Sequence, residues 1–405
     1  MRHLTATVSE TTLPTQHHSR DDMVFDREAA QKLKFRERDV APFFAGRKAE
    51  IAAFEGALET AQESAQAIFR IYQGPPGCGK TSLVDYLSRT TSDDVVFTQF
   101  SKSDDFDKES LAVAIEEALS ANNTPFALAK DVTIFALSLF SKDKAAEIVK
   151  ERTVRDLPSS KQIVIHIDEA HAMSAAFDDF IETLHTKGVG WPCVVILTGL
   201  NHTKRRIVTI EGMSRLEEGA AMNMGELSHE ECVESTMNML EAIGAQGDRE
   251  QASRRVASLS FGWPRHLNRA QKALRDELLP EEVEGNLSRA DFDQIKQQSD
   301  QSRRRYYDSR LSDPLLSRNK ALSLHMIDAL RAQGTCPNVL EFGALCAQAI
   351  ESYPQVGPFT ISAKEGMDFA EAFIEKGIVV ETEQGFAIAI PSMGDWAHER
   401  CAHKP

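Results

Sequence analysis

The sequence has few cysteines and no long apolar segment. Its six cysteines are scattered without a Cys-x-x-Cys pair, which argues against a disulfide or zinc framework and is typical of reduced cytoplasmic thiols. The longest apolar runs, around Val132–Phe140 and Cys193–Thr198, are far shorter than a membrane-spanning helix. The first residues are polar and lack the apolar stretch of a signal peptide. We therefore expect a cytoplasmic protein with no membrane partner.

Positive charge is also scarce. The chain has 46 Lys and Arg against 61 Asp and Glu, a formal net charge of −15. Such a balance gives no overall attraction to nucleic acid or to an anionic membrane, although a local basic patch can still bind phosphates. A composition of 42% hydrophobic and 26% charged residues is that of a soluble globular protein. The length of 405 residues predicts two or three domains.

Short apolar segments alternate with helical patterns in the first half of the chain. Strands are predicted at Ala67–Tyr72, Asp94–Phe100, Lys161–Ile167 and Cys193–Thr198, and helices at Ile51–Gln66, Leu83–Leu87, 107–150 and Phe177–His185. This alternation is typical of parallel βαβ units, so the predicted fold class is α/β with a parallel sheet. Ligands of such sheets bind beyond the carboxyl ends of the strands.

A glycine-rich loop follows the first predicted strand. The run Gly74, Pro75, Pro76, Gly77, Cys78, Gly79, Lys80 and Thr81 matches the phosphate-loop pattern, and Ser82 continues it into a helix. Glycines let backbone N–H groups approach a phosphate at the positive end of that helix. We expect Lys80 to reach the β- and γ-phosphates of ATP and the Thr81 hydroxyl to ligate Mg²⁺.

Two carboxylates follow the third predicted strand. In a parallel sheet, the end of the strand at Ile167 places Asp168 and Glu169 beside the phosphate loop. Asp168 is predicted to hold Mg²⁺ through water, and Glu169 to orient and polarise the attacking water. We reject a metal site at His166 and His171, because His166 lies inside the strand and no third ligand has suitable spacing.

These motifs resemble those of the AAA+ superfamily of ATPases. In particular the chain is similar to the clade of the Orc1/Cdc6-type initiators and the TniB/TnsC-type transposition ATPases, over roughly residues 40–300 and more weakly to 400. The resemblance implies an AAA+ core, a helical lid, a winged-helix-like domain and a homo-oligomer, either a ring or a filament. Gly46 and Arg47, in the Pro42–Ile51 segment, resemble the element that borders the adenine pocket.

Three further motifs resemble catalytic elements of this superfamily. The strand ending at Thr198 resembles sensor 1, a group that helps to place the attacking water; Asn201 is the alternative to Thr198. Arg215, in a Ser-Arg-Leu sequence, resembles the arginine finger that acts on a neighbouring subunit. Arg205 and Arg206 are the competing candidates for the finger. Arg265, in Gly262-Trp263-Pro264-Arg265, resembles sensor 2, and Pro264 suits the first turn of its helix.

Four units are predicted along the chain. They are an N-terminal arm at residues 1–40, an α/β nucleotide-binding domain at 41–225, a helical lid at 226–302 and a winged-helix-like domain at 311–405. The last rests on helices followed by a hairpin with strands at Gly377–Val380 and Phe386–Ile390. The arm, helical and charged at Asp26–Arg38, is either a solvated tail or an oligomer contact.

Two functions remain open for an ATP-hydrolysing switch of this design. The first acts on double-stranded DNA, as a replication initiator or transposition regulator. The run Arg303–Arg305 with Tyr306 and Tyr307 is either a local DNA contact or a solvated helix face or linker. The second is a protein-directed switch in phage defence or signalling, whose winged helix binds an effector protein. A metabolic P-loop enzyme is disfavoured by the Arg265 motif and the predicted lid.

Overall fold

The computed structural model describes residues 24–36, 39, 41–92, 94–100, 162–172, 175–187, 193–216, 218–353 and 363–402. The helical segment predicted at 107–150 lies outside the described residues. The strands are β1 Ala67–Gln73, β2 Val95–Phe100, β3 Gln162–Ile167, β4 Cys193–Gly199, β5 Ala221–Asn223, β6 Val379–Thr382 and β7 Gly385–Ile388. The helices are α1 Arg27–Lys32, α2 Lys48–Ser64, α3 Lys80–Thr90, α4 Ala175–Lys187, α5 Thr203–Ile207, α6 His229–Ala242, α7 Arg249–Ser260, α8 Pro264–Leu278, α9 Phe292–Arg310, α10 Pro314–Arg318, α11 Lys320–Gln333, α12 Val339–Ser352, α13 Ala363–Glu375 and α14 Pro391–Ala402.

A five-stranded parallel sheet forms the core, in the order β2-β3-β4-β1-β5. Every residue of β4 is buried, as expected of a central strand covered on both faces. The predicted α/β class is thereby confirmed. Strand β5 was not predicted, because three residues carry no periodic pattern; pairing with β1 between Ile71 and Gln73 defines it.

The strand register aligns the site at one edge of the sheet. Tyr72 of β1 pairs with Thr198 of β4, and Ile167 of β3 pairs with Leu197 of β4. The residues that follow these pairs therefore emerge together at the carboxyl edge. Asp168, immediately after Ile167, consequently lies beside Thr198.

Helices α6, α7 and α8 form a helical unit beside the sheet, and we call this unit the lid. Helix α6 begins with a capping box, in which the Ser228 and Glu231 side chains each accept from the other residue's backbone N–H. Helix α8 begins at Pro264, as the sequence predicts. The lid core is apolar and includes Leu240, Val256 and Leu274.

The described part of the N-terminal arm packs on this lid. Helix α1 is shorter than the predicted Asp26–Arg38 helix. The Asp26 N–H donates to the Ile243 carbonyl over 2.9 Å. The Arg275 guanidinium donates to the carbonyls of Ala30 and Leu33, over 2.8 and 3.0 Å. This segment is therefore anchored by hydrogen bonds and by a buried phenylalanine, Phe25, rather than being a solvated tail.

The C-terminal unit contains α11, α12 and α13, the antiparallel hairpin β6–β7, and a further helix, α14. Helix α9 runs without a break from the lid into this unit. Tyr306 and Tyr307 therefore lie inside a helix, and both are buried. The Tyr307 hydroxyl lies 2.7 Å from Ser392 of α14, which joins α9 to the C-terminal unit. No helix among the described residues is long and apolar enough to span a membrane.

Candidate active site

The phosphate loop joins β1 to α3 and depends on its glycines. A Cβ at Gly74 would collide with the Met224 carbonyl oxygen, so the close backbone approach needs glycine. Gly79, just before α3, has φ of +95°, a conformation that side chains rarely adopt. The Lys80 ammonium donates to the carbonyls of Gly74 and Pro75, over 2.7 and 3.1 Å. The cation is thus held at the loop where a phosphate would bind.

Asp168 is the centre of a hydrogen-bond network at the carboxyl edge. The Thr198 hydroxyl donates to Asp168 Oδ1 over 2.6 Å, and Thr81 Oγ1 lies 3.4 Å from Asp168 Oδ2. His166 Nε2 lies 2.9 Å from the Thr198 hydroxyl. Because that hydroxyl gives its proton to Asp168, His166 must be the donor to it. The structure thus brings together the predicted Thr81, Asp168 and Thr198.

The oxygen atoms of Thr81 and Asp168 fit a Mg²⁺ ion. This ion prefers one or two protein oxygens, with water and substrate phosphates completing its shell. Among the described residues, no group of three or more His, Cys, Asp or Glu side chains forms a metal site. The Thr81 and Asp168 oxygens would suit a metal that is bound together with its nucleotide.

Glu169 points away from the network. Its side chain is exposed, and its backbone N–H donates to Asp168 Oδ1 over 2.9 Å. Its φ of +53° is unusual for a residue with a side chain and places strain beside the phosphate loop. The carboxylate is thereby presented to solvent, where a water nucleophile would approach.

The two sensor 1 alternatives differ in their bonding. Thr198 is fully buried and is bonded to Asp168 and His166. Asn201 follows β4 in a turn, and its amide oxygen is buried with no hydrogen-bond partner in the described structure. Thr198 therefore orients Asp168, whereas the Asn201 side chain retains an unused acceptor.

The Arg47 side chain connects the phosphate loop with the residues that follow β5. Its guanidinium donates to the carbonyls of Cys78 and Gly225, over 2.9 and 2.6 Å. It also pairs with Glu50 at 3.4 Å. Gly46 lies so close to Glu231 that a Cβ would collide with that carboxylate. A narrow, largely apolar pocket beside this segment is lined by residues that include Phe43, Phe44, Arg47, Leu227 and Leu267.

A cavity of about 690 Å³ opens above the phosphate loop. Four cations line it, Arg36, Lys80, Arg265 and Arg269, together with Gly77, Thr81 and Ser82. Arg36 and Arg269 were not predicted. Arg269 follows Arg265 by one helical turn, so helical spacing from Pro264 could have found it. Arg36 carries no local signal, because the fold brings it from the N-terminal arm.

Arg265 joins the lid to the loop. Its backbone N–H donates to the Gly77 carbonyl over 3.2 Å, and its guanidinium lies 4.4 Å from the centre of the Tyr306 ring. The next residue, His266, is buried, and burial lowers its pKa to about 3. His266 is consequently neutral, so the positive charge at this point comes from the arginines.

The three arginine-finger candidates occupy different settings. Arg206 donates to both carboxylate oxygens of Asp178, over 2.6 and 2.7 Å. Arg205 is exposed and lies 3.9 Å from Glu381 of β6. Arg215 ends the short 3₁₀ turn Met213–Arg215, and its side chain is outside the described structure. Arg206 is thus engaged within its own chain, and the assignment of Arg215 stays a prediction.

The sheet order, the glycine loop with Lys80 and the Thr81–Asp168 pair define a P-loop NTPase. Residues 66–207 match the family model described as an AAA domain. The matched domain and the fold together support an ATP-hydrolysing enzyme of the AAA type. No curated protein matches the chain.

Three solved structures are similar to the chain in fold. The Walker-type ATPase of Pyrococcus abyssi has 14% identity, coverage of 88% of this chain and 96% of its own, and a TM-score of 0.54. The Aeropyrum pernix ORC2 protein, in ADPNP–ADP complexes, has 12% identity, coverage of 94% and 98%, and a TM-score of 0.51. The Thermotoga maritima RuvB Holliday junction branch migration motor has 15% identity, coverage of 89% and 96%, and a TM-score of 0.45. The first two support a shared fold over nearly the whole chain.

Proposed function

We propose that the protein is an oligomeric AAA+ ATPase switch that acts on double-stranded DNA, of the replication-initiator or transposition-regulator type. The observation that carries the DNA part is a concentration of arginines in an otherwise acidic chain. A groove of about 330 Å³ between α8 and α9 is lined by Arg265, Arg269, Arg303 and Arg305. Phosphate neutralisation by such side chains supplies most non-specific DNA affinity.

The site residues suit ATP hydrolysis by positioning and charge. The loop N–H groups and Lys80 would bind the phosphates, and Thr81 and Asp168 would hold Mg²⁺. Bound Mg²⁺ would neutralise negative charge on the phosphate oxygens. Glu169 would accept a proton from the attacking water at its exposed carboxylate. Arg265 would bring positive charge from the lid to the terminal phosphate and so link lid position to nucleotide state.

The proposed DNA contact involves the phosphates and no stacking on bases. Tyr306 and Tyr307 are buried and so cannot stack on bases. Arg303 is paired with Asp300 at 2.7 Å. Arg305 and Arg269 are exposed and lie at the groove. Contact between these guanidinium groups and DNA phosphates would be independent of sequence and sensitive to salt.

The C-terminal unit supports a second candidate, a protein-directed switch. Its three helices and hairpin suit a winged helix, but residues 311–405 contain seven Lys and Arg against twelve Asp and Glu. An excess of five acidic residues favours a protein partner for this unit over a nucleic acid. In this candidate function the unit would bind an effector protein in phage defence or signalling.

The test is the ATPase rate and oligomer mass of the full chain, with and without double-stranded DNA, at low and physiological salt. We expect DNA to stimulate turnover and assembly. Arg305→Ala should reduce DNA affinity and lower the log–log salt slope by about one. Arg318→Ala, an exposed arginine on α10, is the matched control. ATPase activity with no DNA response would contradict the DNA role and favour the protein-directed switch.

A further inference from the structure

One face of α9 is turned toward the phosphate loop. The Tyr306 hydroxyl donates to the Pro76 carbonyl over 2.8 Å, and the Tyr306 ring lies against the Arg265 guanidinium. Arg310 follows Tyr306 by one helical turn, so both side chains lie on the same face. Arg310 is therefore directed toward the phosphate loop from the end of α9.

Arg310 is a half-buried cation at the end of α9. It forms no hydrogen bond or ion pair with any residue in the described part of the chain. Burial lowers its pKa, Tyr306 and the Glu169 carboxylate oppose that shift, and the Arg265 guanidinium adds to it. The charges of Glu169 and Arg265 thus both act on Arg310. It shares the surroundings of the predicted catalytic carboxylate and of the sensor 2 arginine.

Such an arrangement is unfavourable without an anion. A half-buried guanidinium loses hydration, and a second guanidinium nearby adds repulsion. The Glu169 carboxylate attracts Arg310, but its side chain is exposed, so water weakens that attraction. The terminal phosphate of ATP, placed by Lys80 and Thr81, would supply negative charge to this same region.

We propose that Arg310 binds the terminal phosphate of ATP within its own subunit, from the helix that joins the lid to the C-terminal unit. The inference rests on the ATPase function. It also gives the C-terminal unit a direct link to the nucleotide. Leu311, the next residue, is buried, and Gly377 packs so closely on Pro76 that a Cβ there would collide with it. The C-terminal unit therefore lies against the phosphate loop at Pro76, and the helix that carries Arg310 is anchored at Leu311.

The test compares the affinities of the full chain for a non-hydrolysable ATP analogue and for ADP, with single-turnover ATP hydrolysis alongside. Arg310→Ala should weaken binding of the analogue roughly 10- to 100-fold, the range for a lost hydrogen bond to a charged group. ADP affinity should change less than about twofold, because ADP lacks the contacted phosphate. Arg310→Lys, which keeps the charge, should recover part of the loss.

Arg318→Ala is the matched control, since Arg318 is exposed on α10 and lines neither the cavity nor the groove. An equal loss of affinity for the ATP analogue and for ADP in Arg310→Ala would overturn the proposal and assign the residue a structural role. Faster hydrolysis in that variant would also overturn it, because Arg310 would then be restraining Glu169. Failure of the ATPase function itself is distinguishable: the unmodified chain and Lys80→Ala would then behave alike toward ATP.

Discussion

Asp168 joins three of the predicted site residues through hydrogen bonds. Its carboxylate accepts from the Thr198 hydroxyl and from the Glu169 N–H, and lies within reach of Thr81. A carboxylate held by these donors is positioned before any metal arrives. The Glu169 side chain is exposed, and its backbone has a positive φ. An exposed carboxylate suits a group that must contact a water molecule. The two adjacent acids therefore have different environments, because the Asp168 carboxylate is hydrogen-bonded at the sheet edge and the Glu169 side chain is exposed.

Replacement of Glu169 by glutamine tests this division. Glu169→Gln should still bind ATP, because the side chain lies outside the Asp168 network. Its turnover should fall by a factor on the order of 10²–10⁴, the usual contribution of a general base. Nucleotide binding and single-turnover hydrolysis measure the two effects. Glu55→Gln, exposed on α2, is the control; loss of ATP binding by Glu169→Gln would instead make the carboxylate structural.

At the scale of elements, helix α9 contacts the phosphate loop. The hydrogen bond from Tyr306 to Pro76 joins residues 230 positions apart. Because α9 is one unbroken helix, the same element also packs into the C-terminal unit through Tyr307 and Trp396, whose ring centres are 5.4 Å apart. The loop, the lid and the C-terminal unit are consequently connected through one helix.

Conservative changes at the two tyrosines separate the effect of the Tyr306–Pro76 hydrogen bond on ATP binding from effects on general stability. Tyr306→Phe leaves the Pro76 carbonyl without this donor and should weaken ATP binding roughly 2- to 13-fold, which corresponds to the about 0.5–1.5 kcal/mol of a typical hydrogen bond. Tyr307→Phe loses its partner Ser392 and should lower thermal stability while leaving ATP affinity unchanged. Titration with ATP and thermal melting of both variants check this. Equal ATP affinities in the two variants would show that the Tyr306–Pro76 hydrogen bond does not contribute to ATP binding.

For the whole molecule, the site is assembled from distant parts of the chain. The cavity takes Arg36 from the arm, Lys80 from the sheet domain and Arg269 from the lid. A neighbouring subunit would supply the arginine finger, for which Arg215 is the predicted residue. Arg215 ends the 3₁₀ turn after α5, whereas the alternative Arg206 is held by Asp178 of its own chain.

Mixed oligomers test a finger that acts between subunits. Arg215→Ala should keep its ATP affinity and lose turnover by roughly 10³-fold or more, as for other arginine fingers. Mixing it with Lys80→Ala subunits should restore part of the activity, because each variant supplies what the other lacks. Arg205→Ala and Arg206→Ala, treated identically, compare the alternative fingers. Absence of rescue in the Arg215 mixture would argue against this role.

The sequence by itself determined the α/β class, the phosphate loop and the Asp168–Glu169 pair. Each depends on local spacing: apolar runs form strands, glycines permit the loop, and acids at a strand end lie at the sheet edge. Only the tertiary structure decided that Tyr306 and Tyr307 are buried, that Arg36 and Arg269 line the cavity, and that the Tyr306 face of α9 meets the phosphate loop. These features depend on contacts between segments far apart in the chain, and no local pattern specifies which segments will meet.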